Sequence, residues 1–214
     1  MLFYIKIEFF YNIKKMYCNI NIKPIKLYDI KNKTIIESKD FIKKNVNEYF
    51  CLSHVWKIHF WGCNINDENI ICKCIYKKME EASKASNLNF GWCDQICIDQ
   101  KNINEKESEI PKMSQYYKNA KVVVAIVDNM EDVIFTKNKE NFKIISNHNC
   151  EEIISLLDKC TLLSRAWCFQ EILMASKVLI LNNINSNIDM ELLLKWIFFN
   201  DYDVIKIRFR ALLE

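Results

Sequence analysis

The sequence predicts an α/β fold: a mostly parallel sheet flanked by helices, with an extended arm at the N-terminus. Three observations lead there. The runs 49–53, 121–127 and 177–181 are apolar with little polar alternation, as strands covered on both faces are. The stretches between them carry apolar residues at helical spacing. Strands and helices alternate along the chain, which is the pattern of a parallel sheet built from crossovers.

Taken in order, residues 1–48 form an arm or extra strands, and residues 49–214 form the main domain. Within the arm, "LFYIKIEFFY" reads as an edge strand and "NIKPIKLYDI" as a second extended piece. Pro24 bars a central strand at its own position, because it lacks the N–H a ladder needs. "YFCLS" (49–53) is the first core strand. Residues 66–86 form a helix whose stripe runs through Ile70, Ile71, Cys74, Ile75 and Met79. Residues 90–99 read as strand and then loop. Residues 108–120 form a helix striped by Ile110, Met113, Tyr116, Tyr117 and Ala120, with Pro111 near its first turn. "KVVVAIV" (121–127) is the strongest strand, being β-branched and uninterrupted. A polar loop covers 128–150, and a helical region covers 151–176. "KVLIL" is the next strand and residues 188–199 the closing helix.

Composition narrows the function classes. The net charge is +3 over 214 residues, with no basic block, so nucleic acid and anionic membranes find no electrostatic footprint. The apolar start "MLFYIKIEFFYNIKK" is broken by Lys6 and Glu8 and is too short to span a bilayer. The ten cysteines are scattered, which fits reduced, buried thiols in a cytoplasmic protein better than a disulfide framework. Cys72–Cys74 and Cys93–Cys97 have no second pair at ligand spacing, so no metal is expected. With only two glycines and two prolines, each one marks a local constraint.

In open parallel sheets, ligands bind beyond the carboxyl ends of the strands. That rule selects Ser53 and His54, Asp94 and Gln95, and Asp128 and Asn129. Each also has a plain structural role open to it. Ser53 caps the next segment, His54 makes a structural hydrogen bond, and Asp94 caps a loop.

Four segments then carry a resemblance: "YFCLSHVW", "FGWCDQICIDQ", "EKESEIPKMSQYYKNAKVVV" and "SRAWCFQEILMASKVLI", in this order. Together they resemble the HET (heterokaryon incompatibility) domain family over roughly residues 49–181. One departure is clear. The family usually has Gly directly after its first Trp, whereas Trp56 is followed by Lys57 and a Trp-Gly pair comes later, at Trp61–Gly62. HET domains look like distant relatives of TIR domains, which implies a flavodoxin/TIR-like sheet. "SRAWCFQEI" is similar to a TIR helix signature, with one more residue between Ser and Trp. By that resemblance Glu171 inherits the place of the catalytic glutamate of NAD-cleaving TIR domains, with Trp167 and Cys168 beside it.

The resemblance implies a role in self/non-self recognition or cell-death signalling, and two outputs are open. One is an NAD(+) glycohydrolase with NAD(+) as substrate and no required cofactor. Glu171 is then catalytic, and Ser53, His54, Asp94, Arg165 and Trp167 line the ligand site. The other is a non-catalytic module that signals by homotypic contact. Both imply self-association and a signalling protein partner, and the first adds a nucleotide ligand. A helix through 151–176 would set Ser164, Trp167, Cys168 and Glu171 on one face. Arg165 either binds a phosphate or pairs with Asp158 or Glu151. A nucleophilic Cys97 or Cys168 lacks an ordered His partner in the sequence.

Overall fold

The structure is a computed structural model, and it describes residues 22–56, 74–127, 134–137, 142–145, 150–182 and 187–193. Its centre is a seven-stranded mixed sheet. The four inner strands are parallel: β3 (Phe50–Ser53), β4 (Phe90–Trp92), β5 (Val122–Val127) and β8 (Val178–Asn182). They lie in the order β4-β3-β5-β8. In chain order this is second, first, third, fourth, the flavodoxin-like winding. The strand order reverses between β3 and β5, so a crevice opens above their carboxyl ends.

The extended arm adds to this sheet. Strands β1 (Lys26–Asp29) and β2 (Thr34–Glu37) form a hairpin, and β1 pairs antiparallel with β4, Tyr28 opposite Gly91. Pro24 precedes the hairpin, where no ladder bond is asked of it. The buried Asp29 carboxylate holds the connecting turn by accepting from the Asn32 amide at 3.1 Å and from its side chain at 2.8 Å. The other edge is β9 (Asn187–Asp189), antiparallel to β8. The N-terminal segment 2–11 lies outside the described residues, as do Asp128, Asn129, Trp61 and Gly62.

Helices cover both faces, and alternation within β3 shows how. Phe50 packs on the side of α1 (Cys74–Ser86), where it meets Met79 and the bare Gly91 backbone. Cys51, pointing the other way, puts its thiol 3.5 Å from the Tyr116 carbonyl of α4 (Met113–Asn119). Ser53 follows Cys51 by two and therefore faces the α4 side. The residues Phe50, Cys51, Leu52 and Ser53 are all buried, which is why the strand reads as a continuous apolar run. Trp92 fills the α4 face by edge-on contacts with Tyr116 and Tyr117, at ring separations of 5.4 and 5.5 Å.

Several segments differ from the sequence expectation. The stretch after β4 is a short helix, α2 (Asp94–Cys97), rather than loop. The helix expected at 108–120 begins earlier, as α3 (Ile103–Glu109), because the Asn102 side chain accepts from the Glu105 amide and caps it. A single 3-10 turn carrying Pro111 joins α3 to α4. The polar region 128–150 contains a hairpin, β6 (Ile134–Lys137) with β7 (Phe142–Ile145). The region 151–176 is three helices: α5 (Cys150–Lys159), α6 (Thr161–Ser164) and α7 (Ala166–Met174). Of the 66–86 helix, the part before residue 74 is outside the described residues; the closing helix is helical over 190–193 and undescribed from 194.

Candidate functional site

Helix α7 packs against α4 and touches β3 and β5, and this places Glu171 over the carboxyl end of β3. The Ser53 hydroxyl donates to Glu171 Oε2 at 2.6 Å, across 118 residues of chain. Ser53 is the last residue of β3 and is paired with Ala125 of β5. The carboxylate therefore stands at the point where the strand order reverses. Cys168, one turn before Glu171, directs its thiol toward the His54 carbonyl at 3.7 Å.

The expectation that Ser164 shares a helix face with Glu171 is corrected. Arg165 has extended backbone (φ −85°, ψ 129°) and ends α6 before α7 begins. Only Trp167, Cys168 and Glu171 stand on α7, and the Trp167 side chain lies outside the described residues. The break has a use. It leaves Arg165 exposed at the lip of the cleft rather than packed on a helix face.

That cleft has a volume of about 530 Å³, within the range of small-molecule sites. Its lining includes Glu171, Cys168 and Arg165 from the α6–α7 region, His54 and Trp56 after β3, and Asp94 and Gln100 after β4. Lys106 of α3 and the apolar Ile98, Ile110 and Met113 complete it. The lining thus combines two cationic side chains and two carboxyl groups with a set of apolar and neutral polar residues.

The electrostatics are those of a dry site. Burial pushes the Glu171 carboxyl up to about 8, even though its bond from Ser53 acts in the opposite sense. The neighbouring Asp94 charge raises it further, while a bond from the Tyr117 hydroxyl and the Arg165 charge oppose this. Burial also raises the Asp94 carboxyl, against bonds from its own helix turn and from Trp56. His54 is held neutral, its pKa lowered to about 3 by burial and by the Lys78 charge. The Cys168 and Cys97 thiols are both pushed up to about 12 by burial, so neither is a thiolate near neutrality. All six described cysteines are free and buried.

Asp94 takes the capping role. Its Oδ1 accepts from the Gln95 amide at 2.7 Å, which starts α2, and its Oδ2 accepts from the Trp56 indole at 3.1 Å. It lines the cleft as well. His54 is a structural hydrogen-bonder whose Nε2 lies 3.0 Å from Gln95 Oε1, and it too reaches the cleft. Gln100 fixes the loop by donating to the Asp94 and Ile98 carbonyls at 2.8 and 3.1 Å. The strand-end rule had already selected Gln95, which pairs with His54, whereas sequence reasoning passed over Lys106 and Tyr117. Nothing local marks Lys106, whereas the aromatic stripe of 108–120 already placed Tyr117 inward. His54 Nδ1, Cys93 Sγ and an Asp94 carboxylate oxygen lie within 4.8 Å of one another, which is the set of groups that could hold a metal ion among the described residues.

No helix among the described residues is long and apolar enough to cross a membrane. Neither curated proteins nor solved structures yield a match to this chain. A family model does: that of the heterokaryon incompatibility protein (HET) matches residues 49–171, more than half of the chain. The match opens beside the first core strand and closes on Glu171, so it spans the elements that build the cleft. The chain belongs to the heterokaryon incompatibility (HET) family.

Proposed function

We propose that this HET domain binds a nicotinamide dinucleotide in the cleft and cleaves it at the nicotinamide–ribose bond, with Glu171 as the catalytic residue. The single observation behind this reading is the Ser53–Glu171 pair at the strand-order reversal, opening on a cleft with Arg165 and Lys106 at hand.

The chemistry asks little of the protein. The pyridinium ring of NAD(+) leaves as neutral nicotinamide, taking the electron pair of the C1′–N bond with it. Water attacks C1′ and gives up a proton, leaving ADP-ribose. Positive charge gathers on the ribose in the transition state, and a single carboxylate beside it stabilises that charge. In the ligand-free site Glu171 holds its proton up to about pH 8. A cationic ring entering the cleft favours the ionised form, so the anion is present when it is needed. Ser53 fixes the carboxylate orientation, and Arg165 and Lys106 meet the pyrophosphate. Asp94 and His54, which line the cleft, are assigned to the ligand side of the same site.

In the cell this activity would serve self/non-self recognition or cell-death signalling in the cytoplasm. It would require self-association and a protein partner that triggers it.

The test is release of nicotinamide from NAD(+) by purified protein at high concentration, read by chromatography. Wild type should turn over, and Glu171→Ala should lose at least about 100-fold, the scale of removing one transition-state partner. Rates at low substrate should climb toward a plateau above about pH 8. Absence of turnover in both proteins overturns the enzymatic reading. Cell toxicity that survives Glu171→Ala would then identify a module acting by homotypic contact.

A further inference from the structure

We propose that His54, Cys93 and Asp94 form a three-ligand site for a zinc-class divalent cation, with its remaining position open to the cleft. The donor atoms are already gathered. Cys93 Sγ stands 3.9 Å from His54 Nδ1 and 3.6 Å from Asp94 Oδ1. Nitrogen and sulfur ligands placed tetrahedrally around zinc are about 3.6 Å apart, given bond lengths of about 2.1 and 2.3 Å. A cation at the centre therefore asks the Cys93–His54 pair to close by only a few tenths of an ångström, and draws His54 and the Asp94 carboxylate together from within 4.8 Å.

The surroundings orient these ligands. The Gln95 amide oxygen only accepts, so His54 Nε2, 3.0 Å away, carries the ring proton. That leaves the Nδ1 lone pair turned toward Cys93. A ligating histidine ordinarily donates its other N–H to such an acceptor, which sets its tautomer. Asp94 is likewise braced by the Trp56 indole and the Gln95 amide. Two of the three ligands, His54 and Cys93, are buried, where an uncompensated charge is costly. One thiolate and one carboxylate balance a dication, so the loaded site is neutral.

The donor set favours zinc-class ions over magnesium or calcium, because it includes a soft sulfur and an imidazole. His54 and Asp94 also line the cleft, so water or a ligand oxygen can take the open position. Three protein ligands with one open position is the form of a reactive zinc site rather than a closed structural one. Pair spacing could not reveal it, since 39 residues separate His54 from Cys93.

Cobalt(II) is the probe. Chelator-stripped full-length protein is titrated with cobalt(II) and followed by absorption, a readout independent of any NAD(+) turnover. Wild type should develop a thiolate-to-cobalt band in the near ultraviolet and intense four-coordinate bands in the visible, both removed by zinc. Cys93→Ser should lose the near-ultraviolet band. Cys97→Ser, whose thiol faces the Gly91 carbonyl at 3.9 Å, should keep it. Asp94→Asn should bind cobalt at least about tenfold more weakly, a loss already seen when only outer-shell partners are removed. Zinc should raise the Tm of wild type more than that of Asp94→Asn at the same concentration. A wild type without a thiolate band at saturating cobalt overturns the proposal, as does a band that persists in folded Cys93→Ser. If circular dichroism shows Cys93→Ser unfolded, Asp94→Asn decides, and unchanged cobalt affinity there overturns the three-ligand site.

Discussion

Replacing Glu171 by Gln keeps the side chain's size and its bond from Ser53 but removes the titration. In the folded chain Glu171 holds its proton up to about pH 8, against 4.5 for an ordinary glutamate, chiefly because the site is buried. Between those limits the folded state carries one proton more than the unfolded state. Unfolding then releases a proton, so stability falls as pH rises. The slope is about 1.4 kcal/mol per pH unit, and the full window corresponds to roughly 5 kcal/mol. His54 acts in the opposite sense. Its folded pKa of about 3 lies below the ordinary 6.5, so its contribution grows with pH up to about 6.5 and is constant above. The interval from pH 6.5 to 8 therefore isolates Glu171 and should cost wild type on the order of 2 kcal/mol. Glu171→Gln should lose little over the same interval. Urea unfolding at half-unit pH steps, comparing midpoints at constant m-value, measures the difference. Parallel curves for the two proteins from pH 6.5 to 8 would refute the reasoning and return Glu171 to an ordinary surface acid.

Two further outcomes follow from the same geometry. Ser53→Ala removes the bond that opposes the effect of burial on Glu171, so the midpoint of the pH–rate profile should move above about 8 and stability should drop by about 1 kcal/mol. A midpoint that stays put would show that the hydroxyl does not act on the carboxylate. Gly91→Ala places a methyl against the Phe50 ring and the Met79 side chain, where β4 and α1 meet, and overpacking of this kind costs about 1–3 kcal/mol. Thermal unfolding should show the lower Tm, and an unchanged Tm would mean that Phe50 and Met79 have room to move.

The inner strands were legible because they are covered on both faces. A run such as Val122–Val127, buried throughout, has no polar position to disguise it. Helix α4 was legible from its stripe, and the strand-end rule pointed to Ser53, His54 and Asp94 before any contact was known. The hairpin β6–β7 escaped notice because its flanks are polar and its pairing is purely local. The break at Arg165 also escaped: a helical spacing count cannot register one extended residue between two helices. Lys106 and Tyr117 joined the site only through the packing of α3 and α4 over the sheet. The N-terminal hairpin pairs onto β4 through backbone bonds, which any extended segment can supply, so no residue type announced it.

By itself the sequence determined the α/β class, the buried strands, the family motifs and Glu171 as the carboxylate to watch. These depend on local periodicity and on residue identity, which are written along the chain. Only the tertiary structure decided that Glu171 meets Ser53 across 118 residues, that the two stand where the strand order reverses, and that His54, Cys93 and Asp94 converge beside them. Those are distances between segments set by which strand lies next to which, and desolvation in the resulting cleft is what moves Glu171 away from an ordinary glutamate.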